Sequence, residues 1–476
     1  MSEENKITPP DPARRDFIKT GSIAAAGFMI VPRFVLGGKG FIAPSDKLQV
    51  ASIGAGGKGA GDIASFAKTG KADIAFLCDV DDRRAAKSVG DFPKAKYYKD
   101  WRELLDKEQK NIEAVSVSTP DHNHAIIAYS AMQLGKHVYV QKPLTHDIWE
   151  ARLLTEAAKK YKVVTQMGNQ GASNDGTRLL AEWYDSGIIG DVHTVYCWTN
   201  RPVWPQGIPW PTAKTPVPKE LDWNLWLGTA PQKDYVDNLV PFNWRGWWDY
   251  GTGALGDMGC HLVEAPFRVL GLQYAKDVQA SVGSVYVGEF KQGHFPDSCP
   301  PSSHITLTFP KTNKTKGDIT LHWMDGGIQP ERPEELGPNE LFGDADGNGS
   351  LFIGTKGKMI ANTYSENPQL LPTSRTKEVT VKQKFNRVPG QSNGHYGQWV
   401  EACIAGYGKH ELSSPFEVAG PLTEALLMAN LAVRGHELKG GHIKLQWDNA
   451  NMRVTNFDDV NQYIKRQYRD GFSLKG

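Results

Sequence analysis

Residues 48–59 read LQVASIGAGGKG, and this stretch determines the fold. Six residues with the apolar character of a buried strand lead directly into a G-x-G-x-x-G pattern at Gly54, Gly56 and Gly59. In such a turn the first glycine permits a tight bend, the second lets the backbone approach a pyrophosphate, and the third permits close helix packing. The pattern therefore predicts a strand, a phosphate-binding turn and a helix whose N-terminus faces an anion.

The residues after this turn complete the pattern of a dinucleotide-binding unit. Residues 62–68 have helical character, Ala72–Cys78 reads as a second strand, and Asp79 follows the last glycine by about twenty residues, the expected spacing. Asp79 can accept hydrogen bonds from both ribose hydroxyls, and its charge would repel a 2′-phosphate. NAD is therefore favoured over NADP, while Arg83 and Arg84 keep NADP open as the alternative.

Strand-like and helical segments alternate as far as residue 166. Residues 112–118 and His137–Val140 both read as buried strands, and the alternation predicts a parallel sheet with helices on both faces. Ligands of such sheets bind beyond the carboxyl ends of the strands. Lys142 is therefore expected at the cofactor end, and residues 48–167 are predicted to form a Rossmann domain.

The character of the chain changes near residue 168. The segment 197–250 is rich in proline and holds eight of the fourteen tryptophans. After it come strand-like runs at 302–309, 317–323 and 350–353, which indicate an open, mainly antiparallel sheet. We predict an α/β protein in which residues 168–476 form a second α/β domain for substrate binding and oligomerisation.

Composition excludes several classes of function. The chain has 54 basic and 53 acidic residues, which gives no electrostatic footprint for nucleic acid. Its five cysteines are odd in number, widely spaced and never in a CxxC pair, so neither a disulfide framework nor a zinc site is predicted. His122 and His124 are two residues apart, but spacing places no third ligand near them, and no metal site is predicted.

Residues 1–47 carry a targeting pattern. Arg14 and Arg15 are followed by Phe17 and Lys19, and the weakly apolar run at 21–31 is shorter than the ~20 residues that span a bilayer. The pattern resembles a twin-arginine signal and predicts export to the periplasm by the twin-arginine machinery. No clear A-x-A cleavage site follows, so removal of the segment and its retention as a membrane tether both stay open.

A second informative stretch surrounds Asp257 and His261. Glycines lead into a predicted helix, on which these two residues lie four apart and share one face. A carboxylate beside an imidazole makes a proton acceptor with an orienting partner. On spacing alone, however, a capped helix N-terminus with a packed histidine is the better interpretation.

The motifs taken together resemble the Gfo/Idh/MocA oxidoreductase family. They are the glycine turn, Ser118-Thr119-Pro120, Lys142-Pro143 and Asp257-x-x-x-His261. The resemblance extends from Leu48 to the C-terminus and implies a Rossmann domain, a C-terminal α/β domain whose sheet covers the active site, and sheet-to-sheet homo-oligomers. It also implies roles for single residues: catalysis by Lys142 and His261, a substrate hydroxyl held by Asp257, and a nicotinamide site lined by Thr119, Pro120 and His124.

Two departures from the family pattern affect these expectations. Gln141, which we expect at the cofactor site, replaces the glutamate of the usual Glu-Lys-Pro, so a counter-charge beside Lys142 is lost. Residues 167–171 read MGNQG where many relatives have a basic pair, which favours a neutral sugar over a phosphorylated or carboxylated one.

Aromatic residues before the glycine run also indicate a carbohydrate. Flat aromatic faces suit the C–H faces of pyranose rings, and Trp244, Arg245 and Trp248 lie just ahead of residue 251. Most of the tryptophans in this segment stiffen a long loop. We expect one or two of them, with Arg245, to contact substrate.

These residues predict oxidation of a secondary hydroxyl. His261, with an ordinary pKa near ~6.5, would take the hydroxyl proton, and Lys142 would stabilise the developing alkoxide. Because an exported protein has no free nicotinamide pool, the cofactor is expected to be tightly held. Two alternatives stay open: a glycosidase or lyase that oxidises a ring hydroxyl transiently, and a non-catalytic sugar-binding protein, which would need neither Lys142 nor His261.

Overall fold

A computed structural model describes residues 46–474, so the predicted export signal lies outside the described residues. The N-terminal part holds six strands, β1 (Leu48–Ile53), β2 (Ala72–Cys78), β3 (Lys96–Tyr98), β4 (Ala114–Val117), β5 (His137–Val140) and β6 (Thr165–Met167). Between them lie five helices, α1 (Lys58–Lys68), α2 (Asp82–Asp91), α3 (Trp101–Glu108), α4 (His124–Gln133) and α5 (Ile148–Tyr161).

The six strands form one parallel sheet in the order β3-β2-β1-β4-β5-β6. β4 is buried along its whole length, as expected for a sheet covered by helices on both faces. The order reverses between β1 and β4, and ligands of such sheets bind in the crevice at that point. The predicted Rossmann fold is thus confirmed, with α1 beginning at Lys58, earlier than the helical pattern indicated.

The second part is built on a larger mixed sheet. Its strands are β7 (Val192–Trp198), β8 (Asp277–Val282), β11 (Ser303–Phe309), β12 (Ile319–Met324), β13 (Gly349–Gly354), β14 (Gly357–Ala361), β15 (Gln369–Leu371), β16 (Leu445–Asp448) and β17 (Arg453–Val454), while β9 (Tyr286–Gly288) and β10 (Lys291–Gln292) form a separate hairpin. Its helices are α6 (Asp175–Asp185), α7 (Trp223–Leu227), α8 (Gly253–Leu262), α9 (Glu264–Leu270), α10 (Arg375–Glu378), α11 (Gln391–Ala405) and α12 (Phe416–Lys439).

Nine strands pair in the order β15-β14-β13-β7-β12-β11-β8-β16-β17. All neighbours are antiparallel except β7 and β12. Residues of β11 alternate between buried and partly exposed, because one face of the sheet covers the core and the other does not. The open, mainly antiparallel sheet expected from the sequence is confirmed.

Helix α12 is the longest element and lies in the core against α5 and β8. Within residues 46–474 it is the one helix whose length and composition would suit a membrane span, yet 89% of its apolar window is buried inside the protein. Its apolar surface is therefore covered by the rest of the chain.

Residues of α11 complete the core of the Rossmann domain. The Phe66 ring of α1 lies 5.2 Å from Tyr139 of β5 and 5.0 Å from Trp399 of α11, measured between ring centroids. Tyr396 stacks on Tyr139 at 5.7 Å. The chain that follows the predicted boundary at residue 167 thus returns to the first domain, and the two predicted domains share this core.

Candidate active site

A cavity of about 390 Å³ opens at the carboxyl ends of the parallel strands. Its volume is within the range of small-molecule and cofactor sites. Nine of the predicted catalytic, cofactor-binding and substrate-binding residues line it: Gly54, Gly56, Asp79, Thr119, Pro120, Gln141, Lys142, Trp244 and Arg245.

The glycine turn forms one wall and is shaped for a backbone approach. Gly54 has φ +86°, and a Cβ there would lie 2.6 Å from the Ser118 carbonyl group. A Cβ on Gly59 would lie 1.8 Å from the carbonyl oxygen of Gly54, so this position requires glycine for packing. Gly57 gives α1 no side-chain cap, and the first turn carries no acidic residue. The Gly59 N–H donates to the Gly56 carbonyl oxygen at 3.0 Å, and the uncapped helix N-terminus fits the pyrophosphate of NAD.

Asp79 is fixed at the end of β2 by the turn itself. The Gly56 N–H donates to its Oδ2 at 2.9 Å, and the Asp81 N–H donates to its Oδ1 at 3.0 Å. Burial raises the pKa of Asp79, and these backbone hydrogen bonds oppose that rise. A carboxylate has about four lone-pair sites, so both oxygens can still accept ribose hydroxyls. Arg83 is engaged with Asp81 at 2.6 Å, whereas Arg84 lines the cavity.

Lys142 is held by two oxygen atoms of one residue of α8. Its Nζ donates to Asp257 Oδ1 at 2.7 Å and to the Asp257 carbonyl oxygen at 2.8 Å. Arg245 Nε donates to the same Oδ1 at 3.0 Å. Burial would raise the pKa of Asp257, but Lys142 and Arg245 outweigh it and hold the pKa well below its usual range. An ammonium group has three N–H donors, so one remains for a substrate oxygen.

His261 lies one turn further along α8, beneath this ion pair. The Tyr364 ring meets it edge-on at 5.0 Å, and among the described residues its Nδ1 has no hydrogen-bond partner. Burial and the nearby charge of Lys142 lower its pKa to about 3, so the imidazole is neutral at pH 7. The ordinary pKa assumed from the sequence is therefore wrong. Lys142 lines the cavity, whereas His261 and Asp257 are absent from its lining.

Gln141 is explained by a buried carboxylate that sequence reasoning missed. Asp62 of α1 is fully buried and accepts from Gln141 Nε2 at 2.8 Å and from Ser118 Oγ at 2.9 Å. Lys58 Nζ and the Tyr396 hydroxyl donate to its other oxygen at 2.6 and 2.9 Å. A glutamate at position 141 would place two carboxylates together, which is unfavourable. The i,i+4 spacing of Lys58 and Asp62 was the one signal available in the sequence.

Two predicted contacts need correction. His124 is fully buried, with Nδ1 2.8 Å from the Pro143 carbonyl oxygen and Nε2 2.8 Å from that of Thr119, so it braces two loops and does not line the cavity. Trp248 lies in a different cavity, beside Arg434. The reason is that a short 3-10 helix ends before Trp248, whose backbone N–H then pairs with Asp297.

The aromatic surface offered to a substrate also differs from the prediction. Trp244 is buried, and the Arg245 guanidinium covers its ring at 4.4 Å from the centroid. Phe242, on the other side of Arg245 at 4.6 Å, lines the cavity and is 43% exposed. Phe242 is therefore the aromatic ring that is accessible to a substrate. The sequence did not indicate this, because the exposure of Phe242 depends on the conformation of the Arg245 side chain.

Metal-binding chemistry was assessed over residues 46–474. Within that range no group of three or more His, Cys, Asp or Glu side chains could hold a metal ion. The five cysteines are buried and unpaired.

A glycine turn, an acid after β2 and a second domain that places charged groups over the crevice are features of a Rossmann-fold protein that binds NAD. Residues 48–169 match the oxidoreductase family GFO_IDH_MocA, NAD-binding Rossmann fold, and residues 189–311 match its C-terminal alpha/beta domain. The two matches cover about half of the chain. The chain belongs to this family.

Three similar proteins have names that refer to sugars or polyols. The chain is 28% identical over 203 residues to a glycosyl hydrolase family 109 protein of Shewanella pealeana (38% of this chain, 44% of that protein). It is 25% identical to a levoglucosan dehydrogenase of Pseudarthrobacter phenanthrenivorans (36% of each) and 29% identical to an inositol 2-dehydrogenase of Pseudomonas fluorescens (41% and 58%). In each case the matched part is less than two thirds of the relative.

Solved structures share the fold. The WlbA dehydrogenase from Bordetella pertussis, in complex with NADH and UDP-GlcNAcA, superposes with a TM-score of 0.56 at 16% identity over 84% of this chain and 100% of that one. A levoglucosan dehydrogenase in complex with NADH and levoglucosan gives 0.55 at 16% identity, over 84% and 99%. At these identities the likeness shows the fold alone.

Proposed function

We propose that this protein is an NAD-dependent oxidoreductase that oxidises a secondary hydroxyl of a neutral sugar or glycoside and keeps its cofactor tightly bound. One observation carries the proposal: the Lys142 ammonium is held at the cavity wall by Asp257, with one N–H unused and a neutral His261 beside it. A binding protein would have no need for a fixed cation next to an unprotonated imidazole.

The chemistry divides between the cofactor and the side chains. NAD, when bound along the glycine turn, supplies a hydride acceptor. Lys142 donates a hydrogen bond to the substrate hydroxyl oxygen and stabilises negative charge as the proton leaves. Because His261 lies outside the cavity lining, the proton passes to it by way of a water molecule, and the carbinol becomes a ketone. Because a base with a pKa of about 3 is weak, we assign the larger share of rate enhancement to Lys142 and its anchor Asp257.

Charge in the cleft supports a neutral substrate. Lys58 is paired with Asp62, and Lys142 and Arg245 are both paired with Asp257, so each of these cations already has a carboxylate partner. The relatives named for levoglucosan and inositol agree with a polyol substrate.

The second candidate is an NAD-dependent glycosidase or lyase, in which transient oxidation acidifies the neighbouring carbon and the hydride returns after elimination. The relative named as a family 109 glycosyl hydrolase favours it. To separate the two, the purified protein is incubated with aryl glycosides while aglycone release and absorbance of reduced nicotinamide are followed together. Stable reduction supports the dehydrogenase, and release without net reduction supports the glycosidase.

Tight retention of the cofactor is tested separately. Mass spectrometry of the natively purified chain is expected to find NAD(H) in stoichiometric amount, and protein free of it would contradict retention. In both assays Lys142→Met is the test variant, and Lys87→Met, in an exposed i,i+4 pair with Asp91, is the matched control.

We also propose that the chain is exported by the twin-arginine machinery and associates through the open face of the nine-stranded sheet. The arginine pair at 14–15 supports export, and the alternating exposure of β11 supports association. Replacing Arg14 and Arg15 by lysine should retain the protein in the cytoplasm on fractionation. Light scattering should report more than one chain per particle, and a monomer would overturn the association.

A further inference from the structure

One wall of the cofactor crevice comes from outside the Rossmann domain. Leu225 and Trp226, both on the short helix α7, line the cavity. Val80 packs against a hydrophobic cluster that includes Trp226, and its carbonyl oxygen accepts the Asp222 N–H at 2.9 Å. Because Val80 directly follows Asp79, which is expected to bind the ribose beside the adenine, α7 lies at the adenosine end of the cavity.

Contacts outside α7 must fix its position, because a helix of five residues is not stable by itself. One set of contacts comes from the residues just before α4. Asn123 Nδ2 donates to the Trp226 carbonyl oxygen at 3.1 Å, and His122 Nε2 lies 3.0 Å from the same oxygen. The Thr229 hydroxyl donates to the His122 carbonyl oxygen at 2.5 Å. These hydrogen bonds attach α7 and the turn after it to the Rossmann domain.

A second set of contacts comes from Arg469 in the C-terminal tail. Its guanidinium donates to the carbonyl oxygen of Asn224 at 2.8 Å, to Oδ1 of the same residue at 2.6 Å, to the Gly228 carbonyl oxygen at 3.1 Å and to Gln232 Oε1 at 2.7 Å. Its backbone N–H donates to the Thr229 carbonyl oxygen at 3.2 Å. All five acceptors are neutral and belong to α7 or to the residues directly after it.

The tail itself is anchored to the Rossmann domain on both sides of Arg469. On one side, Arg466 Nη2 donates to Glu150 of α5 at 2.8 Å. On the other side, the Arg102 guanidinium of α3 lies 4.7 Å from the ring centroid of Phe472, which is buried. Arg469 therefore joins α7 to a segment that is fixed to the Rossmann domain at two points.

We propose that Arg469 is a positioning residue for the adenosine half of NAD, and that it acts by holding α7 at the wall of the crevice. Arg469 is absent from the lining of the cavity, so its effect passes through Leu225 and Trp226. Without it, α7 would have to be ordered when the cofactor binds, and that ordering would weaken binding. The inference rests on the NAD-binding part of the proposed function and not on the oxidation of a sugar.

The test is the rate at which NADH leaves the full chain. Protein loaded with NADH is mixed with excess ADP-ribose, which shares the adenosine end and cannot accept a hydride, and the loss of bound nicotinamide fluorescence is followed. We expect Arg469→Met to release NADH about tenfold faster. Arg453→Met, at an exposed arginine of β17, is the matched control and should release it like the unaltered protein. No sugar takes part, so failure of the proposed oxidation would not change this result.

Two further measurements separate positioning from a general loss of stability. Leu225→Ala should also release NADH faster, and adding Arg469→Met to it should have little further effect, because both changes act on the same wall. Hydrogen exchange of Arg469→Met should be faster in residues 222–230 and unchanged in α4. An unaltered release rate in Arg469→Met, independent effects of the two changes, or faster exchange throughout the chain would each overturn the proposal.

Discussion

The side-chain amide of Gln141 donates a hydrogen bond of 2.8 Å to the buried carboxylate of Asp62. The residue that departs from the family's Glu-Lys-Pro pattern is therefore matched to a carboxylate on α1. The neutral side chain at position 141 pairs with the charged side chain at position 62. The negative charge of Asp62 is balanced by its ion pair with Lys58.

We predict that Gln141→Glu destabilises the protein by about 2 kcal/mol at pH 7, because two buried carboxylates repel each other. The new carboxyl should have a raised pKa, so the loss should shrink as pH falls and its proton is bound. The double variant Gln141→Glu with Asp62→Asn should recover most of the stability. Urea unfolding of the four proteins gives the coupling free energy, and simple additivity would contradict the pairing.

The Lys142–Asp257 pair predicts a specific kinetic effect. Asp257→Asn leaves two cations, Lys142 and Arg245, without their carboxylate, and the ammonium loses its anchor. We expect kcat to fall by about 10²–10³ with a smaller change in KM, since the charge acts on the developing alkoxide. Asp91→Asn, in the exposed pair with Lys87, should leave both constants unchanged. A loss confined to KM would mean that Asp257 only binds substrate.

Burial of His261 predicts how stability depends on pH. Its pKa is about 3 in the folded chain, against ~6.5 when unfolded, so the unfolded state binds more protons between these values. The contribution of His261 is complete above pH 6.5 and is lost as pH falls toward 3, by up to ~1.4 kcal/mol per pH unit.

His261→Gln should therefore reduce the slope of unfolding free energy against pH on the acid side by about one proton. Other groups, among them the buried His122 and His395 with pKa values of about 3 and about 4, still contribute to that slope. Denaturant unfolding at several pH values from 7 to 4.5 measures this slope. The exposed His193→Gln serves as control, and equal slopes in all three proteins would disprove the assignment.

Two glycines of α1 offer a matched test of the cofactor turn. Gly59→Ala would place a Cβ 1.8 Å from the Gly54 carbonyl oxygen, whereas Gly61→Ala meets nothing within 4 Å. We expect Gly59→Ala to lose bound NAD(H) and at least ~3 kcal/mol of stability. Gly61→Ala should retain NAD(H) and gain up to ~1 kcal/mol from helix propensity. Native mass spectrometry and thermal unfolding report both, and cofactor retained by Gly59→Ala would contradict the turn's role.

Cofactor choice should depend on Asp79 and Arg84. Asp79→Asn removes the charge that repels a 2′-phosphate, and Arg84 at the cavity wall is placed to meet one. We expect the NAD preference, measured as a ratio of kcat/KM values, to fall about tenfold to a hundredfold. Arg83→Ala should leave the ratio unchanged because Arg83 is engaged with Asp81. An unchanged preference in Asp79→Asn would show that another group selects the cofactor.

Local chemistry made the fold predictable. Gly59 and Asp79 act through contacts with neighbouring residues of the βαβ unit, so their spacing carries the information. The position of Lys142 after β5 placed it at the crevice, whereas the role of Asp257 came from the family resemblance, since its spacing from His261 alone favoured a structural interpretation.

The remaining site features depend on contacts between distant parts of the chain. Tyr396 reaches Asp62 across 334 positions. Trp248 lies against Arg434 of α12, and the neutral state of His261 depends on its burial and on the charge of Lys142. No local pattern encodes these relations, which is why the Asp62 network was missed, Trp248 was assigned to the substrate and His261 was given an ordinary pKa.

The return of α11 to the first domain has a consequence for biosynthesis. Tyr396 and Trp399 pack on Phe66 and Tyr139, so the nucleotide-binding half of the molecule cannot finish folding until residues near 400 have left the ribosome. A nascent chain that stops earlier lacks the hydroxyl partner of Asp62 and part of the core beneath the glycine turn. We therefore expect cofactor capture to follow the synthesis of α11, and translation products truncated before α11 to lack the cofactor.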